Sequence, residues 1–352
     1  MLSSLVMFSL LAMPTPAVQV KPLNLLDGKS TFGWTVQGKA EVKTGTLMLG
    51  SDEVAARMTY PCVIPSDSMT IVTLKGSALI HVLDSQERTV QTFRTTRETL
   101  GTVSFSSDVI NGSWTLSGHV GYGPFFTQEQ VAVLKSFSTF GLKIETLDRT
   151  EIHSILVRPT LGEPLFNGKN LDGWKIFKGD AKKEASKWSV TDVGELKVEN
   201  GPGDLQTTTD HEDFLVRLDV KTMGKALNSG LFFRCKPDEY QQGYEAQIQN
   251  AYFDRDRTKP TDFGTGAIYR RVPARRVVSN DNEWFTMHVL AVGPHLRTWV
   301  NGEPVVAWVD ERPPGDNART GLRLAAGRLS LQGHDPTTNI LFKNLLLTDL
   351  SK

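Results

Sequence analysis

Three polar side chains at alternate positions of one segment are the first feature with chemical promise. In Tyr244-Glu245-Ala246-Gln247-Ile248-Gln249-Asn250, strand alternation sets Glu245, Gln247 and Gln249 on one side and Tyr244, Ala246 and Ile248 on the other. A packed sandwich wants an inward side apolar, so the polar side is either a solvated face or the floor of a groove. Ser229-Gly230-Leu231-Phe232-Phe233-Arg234 ends an aromatic strand with Arg234, a planar donor fork suited to sugar hydroxyls or carboxylates. Leu329 to Asp335 places Ser330, Gln332 and His334 on one face, opposite Leu329 and Leu331. His334 shares that face with Gln332 and adjoins Asp335. An imidazole titrates near neutrality, so His334 is the best general acid or base among the seven histidines. His288 reads as a core or face residue.

The stretch from Asn250 to Asn280 is more polar than anything around it. Asp254, Arg255, Asp256, Arg257 and Asp262 are followed by four arginines in seven residues, Arg270, Arg271, Arg275 and Arg276. An Asp-x-Asp pair suits calcium, but the twelve-residue calcium-loop pattern is absent. The arginines could line a pocket for an anionic group; the blander expectation, preferred for most of them, is a surface loop whose acidic and basic halves pair. Tyr269 and Trp284 are candidates either to stack on a sugar ring or to join the core. There is no Gly-x-Ser-x-Gly, phosphate loop, dinucleotide fingerprint, His-Glu-x-x-His or Cys-x-x-Cys in the chain. Serine hydrolase, kinase, dehydrogenase and zincin chemistries are therefore poorly supported.

Strands must position these groups. Phe214, Val216, Leu218 and Val220 alternate with Leu215, Arg217, Asp219 and Lys221, and Phe285 to Ala291 alternates likewise. Asn301-Gly302 sits between two apolar runs as a hairpin turn. No long amphipathic helix pattern occurs; one short helix is expected at Thr127 to Ser136. A repeat organises the whole. Leu25-Leu26-Asp27-Gly28-Lys29-Ser30 with Gly33-Trp34 recurs 140 residues later as Leu165-Phe166-Asn167-Gly168-Lys169-Asn170 with Gly173-Trp174. Each copy closes on an apolar strand, Ile152 to Val157 and Ile340 to Leu347. The expectation is an all-β chain of two tandem β-sandwich domains, 18–160 and 161–352, of the sandwich or jelly-roll kind.

The chain has 352 residues with 39 basic and 39 acidic side chains, a balance that argues against general nucleic-acid binding. Leu5 to Met13 is an apolar run, too short to span a bilayer, leading into Pro14-Thr15-Pro16-Ala17. It reads as a signal peptide over 1–17, although the preceding residues include no Lys or Arg. A soluble, extracytoplasmic (periplasmic or secreted) protein without a membrane span is expected. Cys62 and Cys235 are read as unpaired, partly buried thiols.

Residues 165–350 resemble the bacterial 3-keto-disaccharide hydrolase domain. The pieces that carry the resemblance are Leu165 to Trp174, Asn228 to Arg234, Gly243 to Ile248, Thr265-Gly266-Ala267-Ile268-Tyr269 and Leu331-Gln332-Gly333-His334. The first unit keeps the opening motif and lacks the others, as a degenerate accessory copy would. The resemblance implies a concanavalin A-like (laminarinase-like) jelly roll and cleavage of glycosides whose C3 hydroxyl a separate sugar-oxidising dehydrogenase has made a ketone. That ketone acidifies the C2 proton, so a modest base can start an elimination of the C1 substituent, and water can then add back. In this reading Glu245 and His334 serve as base and acid in either order, Arg234 steadies the enolate, and Gln247, Gln249 and Gln332 orient the sugar. No cofactor is demanded; a divalent metal near Glu245 and His334 is compatible. Two alternatives stand beside it: a conventional glycosidase drawing a second carboxylate from Asp262 or Asp335, and a pair of non-catalytic glycan-binding modules.

Overall fold

A computed structural model describes residues 21–95, 137–160 and 162–351, with the backbone of the strands Gly101–Asp108 and Ser113–Gly118. The signal peptide and the helix expected at Thr127 to Ser136 lie outside the described residues. Within them the chain is antiparallel β-structure with one short 3-10 turn, Ala181–Lys183. Strands up to Pro159 form a seven-stranded and a five-stranded sheet, and strands from Glu163 onward form an eight-stranded and a five-stranded sheet. Each pair of sheets encloses its own apolar core.

Local chemistry explains why the repeat folds the same way twice. The Asp27 carboxylate accepts from the Lys29 and Ser30 amides, and the Asn167 side-chain oxygen accepts from those of Lys169 and Asn170. These are Asx turns, and the next residue, Gly28 or Gly168, takes the left-handed backbone (φ 63° and 69°) that glycine tolerates best. Trp34 and Trp174 then donate their indole N–H to Leu25 O and Leu165 O, each at 2.7 Å. The closing strands, Thr150–Pro159 and Asn339–Asp349, run through the middle of the two larger sheets.

In the second unit the alternating residues fall as their pattern requires. Phe214, Val216, Leu218 and Val220, with Phe285, Met287, Val289 and Ala291, point into the core between the sheets. Asn301 and Gly302 both have positive φ, 54° and 83°, as a type I′ hairpin demands. The opposite face of this eight-stranded sheet is not left to water: Leu215, Leu290, Trp299 and Leu350 join the core of the first unit. Trp299 donates to Asn24 O at 3.0 Å, the Arg297 guanidinium lies 4.4 Å from the Tyr60 ring centroid, and Arg275 pairs with Asp27. Among the described residues, the first unit thus packs on the back of the second, on the sheet opposite its five-stranded one. Cys62 and Cys235 are free, the latter buried. No helix among the described residues is long and apolar enough to cross a membrane.

Candidate functional site

The five-stranded sheet of the second unit runs in the order Trp174–Ile176, Gly203–Thr207, Arg328–Gly333, Ser229–Cys235, Tyr244–Ile248. Leu205, Leu329, Leu331, Leu231, Phe233, Tyr244, Ala246 and Ile248 face the core. Register then fixes the other face. Gln206 lies opposite Ser330, Ser330 opposite Phe232 and Phe232 opposite Glu245, forming one transverse row. Asp204, Gln332, Gly230 and Gln247 form the next row. Glu245, Gln247 and Gln332 are therefore brought onto one surface.

Glu245 is the centre of it. The residue is only 6% exposed, and among the described residues nothing donates a hydrogen bond to its carboxylate. Burial pushes its pKa up to about 8, helped by the charges of Asp262 and Asp204 and opposed by those of Arg319 and Arg270. Gly230 makes room for it: a Cβ at position 230 would sit 2.7 Å from Glu245 Oε1. A hollow of about 230 Å³ opens beside it, lined also by Tyr269, Arg270, Arg271 and Arg319. The insertion builds one wall by running along the edge strand, with Gly266 N donating to Gln247 O and Tyr269 N to Glu245 O. Tyr269 is thus held directly beside the carboxylate.

Three buried polar atoms on this surface or at its edge have no hydrogen-bond partner among the described residues: Gln247 Oε1, Gln332 Oε1 and Asn228 Oδ1. Buried polar atoms are ordinarily satisfied, and these acceptors match the donors of a polyhydroxyl ligand. The partner atoms of the same amides are anchored: Gln247 Nε2 and Asn228 Nδ2 both donate to Asp262 Oδ2, at 3.0 and 2.6 Å.

The sequence reading passed over Asp204. It is fully buried on the polar face, and burial raises its pKa to about 7, partly offset by hydrogen bonds from Gln241. Its signal was present in Gly203-Asp204-Leu205-Gln206-Thr207, where Asp204 and Gln206 alternate with Leu205.

Four expected site residues are placed elsewhere. Arg234 is fully buried at a break in register between Phe232 and Cys235, with a left-handed φ of 51°. Its donors go to Glu212 O, Gly293 O, Arg323 O and Asp213 Oδ1, so it ties loops together and is not presented to the hollow. Gln249 is spent locally, donating to Ala226 O and accepting from Ala251 N. Trp284 adjoins the eight-stranded sheet, its ring capped by Lys343 Nζ at 3.9 Å. His334 is exposed just past the end of its strand, its Nδ1 2.8 Å from Asp335 Oδ2. It lies two strands across from Glu245 and four residues beyond Ser330, the residue in Glu245's row, a backbone separation of roughly 16 Å. His288 is buried and its pKa is lowered to about 3 by desolvation and Arg217. No three His, Cys, Asp or Glu side chains converge as a metal site among the described residues. The insertion's acidic and basic halves do not pair with each other: Lys259 pairs with Asp254 and Asp256, while Arg275 and Arg276 pair with Asp27 and Glu303.

The second unit is thus an all-β sandwich whose five-stranded sheet carries, on the face away from its core, a buried carboxyl among amides with unpartnered oxygens. Residues 162–348 match the 3-keto-alpha-glucoside-1,2-lyase-like domain, and the chain belongs to that family. No curated protein matches it. Among solved structures it is similar to a protein named as a glycosyl hydrolase from Parabacteroides distasonis ATCC 8503, at 23% identity over 53% of this chain and 93% of that one, TM-score 0.44. It is also similar to the carbohydrate-binding module CBM66 from Bacillus subtilis, at 17% identity over 50% and 96%, TM-score 0.35. A third similarity is to the Bacillus licheniformis beta-glucanase, at 13% identity over 52% and 93%, TM-score 0.33.

Proposed function

We propose that the second unit cleaves 3-keto-glycosides by elimination across C2 and C1, with Glu245 as the base. The observation that carries this reading is the Glu245 carboxyl itself: buried, free of hydrogen bonds among the described residues and facing a hollow, with a pKa raised to about 8. A base works best when its pKa lies near the operating pH. Its ionised form takes the C2 proton, and electron density moves towards the C3 ketone oxygen. Arg319, whose charge acts on Glu245, is the cation available to balance that oxygen. As the C1=C2 bond forms, the C1–O bond breaks. The leaving oxygen recovers a proton from the Glu245 carboxyl, which now holds one. Addition of water to the unsaturated ketone completes net hydrolysis.

The elimination is redox-neutral, so the ketone has to come from a separate sugar-oxidising dehydrogenase. The unpartnered Gln247, Gln332 and Asn228 oxygens would hold the sugar. The Leu5 to Met13 run supports an extracytoplasmic place for the reaction. The second reading is a two-carboxylate glycosidase, favoured by the two carboxyls whose charges act on Glu245, Asp262 and Asp204. The test is aglycone release from matched native and 3-keto glucosides. Release from the keto compound alone, lost in Glu245→Gln while sugar binding survives, is the expected result. Release from the native glucoside would refute the elimination, and binding with no turnover would make the unit a glycan-binding module.

A further inference from the structure

We propose that the hollow beside Glu245 takes an oxyanionic substituent, so that the preferred glycoside carries a carboxylate, sulfate or phosphate on the group attached to the sugar. This rests on the cleavage reading for its substrate and on an independent feature for its charge. Arg270, Arg271 and Arg319 converge on one hollow of about 230 Å³ with Glu245 as its only lining carboxylate. None of the three forms an ion pair among the described residues. The Arg271 and Arg319 side chains donate only to backbone carbonyls and the Gln241 side chain, and the Arg270 guanidinium makes no hydrogen bond among the described residues, lying 5.4 Å from the Tyr269 ring centroid. The neighbouring Arg312 is already neutralised by Asp310 at 2.7 Å, while Asp262 is turned to Gln247 and Asn228. Three guanidinium groups and one carboxyl therefore line the hollow itself, with Asp204 and Asp262 outside its lining, and a planar fork binds an oxyanion well in such a partly desolvated space.

Backbone geometry points the same way. Arg270 holds a left-handed φ of 56°, a conformation that suits glycine and that costs other residues of order 1 kcal/mol. The strained turn presents a guanidinium at the mouth of the hollow. One arginine suffices for a developing enolate; the other two are in excess of that need.

The test compares the 3-keto-glucosides of 4-hydroxybenzoate and 4-hydroxybenzamide, alike in shape and different in charge, by kcat/KM and by calorimetric binding to the full chain. The benzoate is expected to be favoured about 10-fold, the scale of one charge-assisted hydrogen bond, with the advantage shrinking as salt rises. Inorganic sulfate and phosphate should compete with the benzoate more than with the benzamide. Arg270→Gly removes the charge where the backbone already suits glycine, so the fold is retained while the benzoate-to-benzamide ratio falls towards one. Equal kcat/KM and equal binding of the two compounds would overturn the proposal. Preferential benzoate binding with no turnover of either compound would sustain it and sink the cleavage reading instead.

Discussion

Glu245→Gln should stabilise the protein while abolishing its activity, and the size of the gain should depend on pH. Folding moves the Glu245 pKa from 4.5 up to about 8. Below pH 4.5 the carboxyl is neutral in both folded and unfolded chains and contributes nothing to the balance. Above it the unfolded chain ionises and the folded chain does not, so stability is lost as pH rises through the interval between the two values. At pH 7 the interval traversed is ~2.5 pH units at about 1.4 kcal/mol each, a penalty of up to about 3 kcal/mol. Gln keeps the shape that Gly230 accommodates and cannot ionise, so the variant escapes the penalty. The assay is urea denaturation of wild type and variant at pH 5, 6, 7 and 8, followed by tryptophan fluorescence. The variant's advantage should be small at pH 5, widen towards pH 8 and then level off. An advantage that stays flat across this range, or a variant less stable at pH 8 than at pH 5 relative to wild type, would refute the assignment of Glu245 as a buried, unpaired carboxyl.

Activity on a 3-keto glucoside should rise with pH through about 8 as Glu245 ionises, and a profile already flat at pH 6 would exclude it as the base. Asp204→Asn removes a negative neighbour of Glu245, so the same limb should move to lower pH; an unmoved limb would uncouple the two groups. Gly230→Ala brings a methyl to 2.7 Å from Glu245 Oε1, and kcat should fall at least ~10-fold with circular dichroism unchanged. Arg234→Met leaves Asp213 without its ion-pair partner and three backbone carbonyls without the Arg234 donors, so a loss of about 3–5 kcal/mol in unfolding free energy is expected; a stable variant with lost turnover would return Arg234 to the chemistry.

Period-2 alternation made much of the candidate site readable before any coordinates. It puts Glu245, Gln247 and Gln332 on a face opposite Ala246, Ile248 and Leu331, and the sheet register sets those faces side by side. The second buried carboxyl, Asp204, obeys the same rule but sits in a strand with no aromatic or histidine to draw notice. Arg234 misled because alternation fails at a bulge: the register breaks after Phe232 and the left-handed Arg234 swings its fork into the loops. His334 belongs to the right face by parity, and only the pairing of distant strands shows how far along and across the sheet it lies. Trp284 illustrates the same limit, since sequence does not tell which of two sheets a strand enters. The arginines of the insertion divided according to long-range partners, Asp27 and Glu303, that lie 248 and 27 residues away from Arg275 and Arg276.

The apolar seam between the sandwiches bears on how the two repeats relate. Duplicated units usually remain exchangeable parts that can be cut apart, shuffled or lost. Here Leu215, Leu290, Trp299 and Leu350 of one copy complete the interior of the other. The first copy's opening motif supplies Asp27 as the counter-ion of an arginine in the second copy's insertion. A chain begun at residue 162 would bare that greasy back and release the far end of the loop that walls Glu245. The first unit therefore acts as part of the second unit's structure, closing its back and anchoring the wall of its hollow from outside the sheet that carries Glu245.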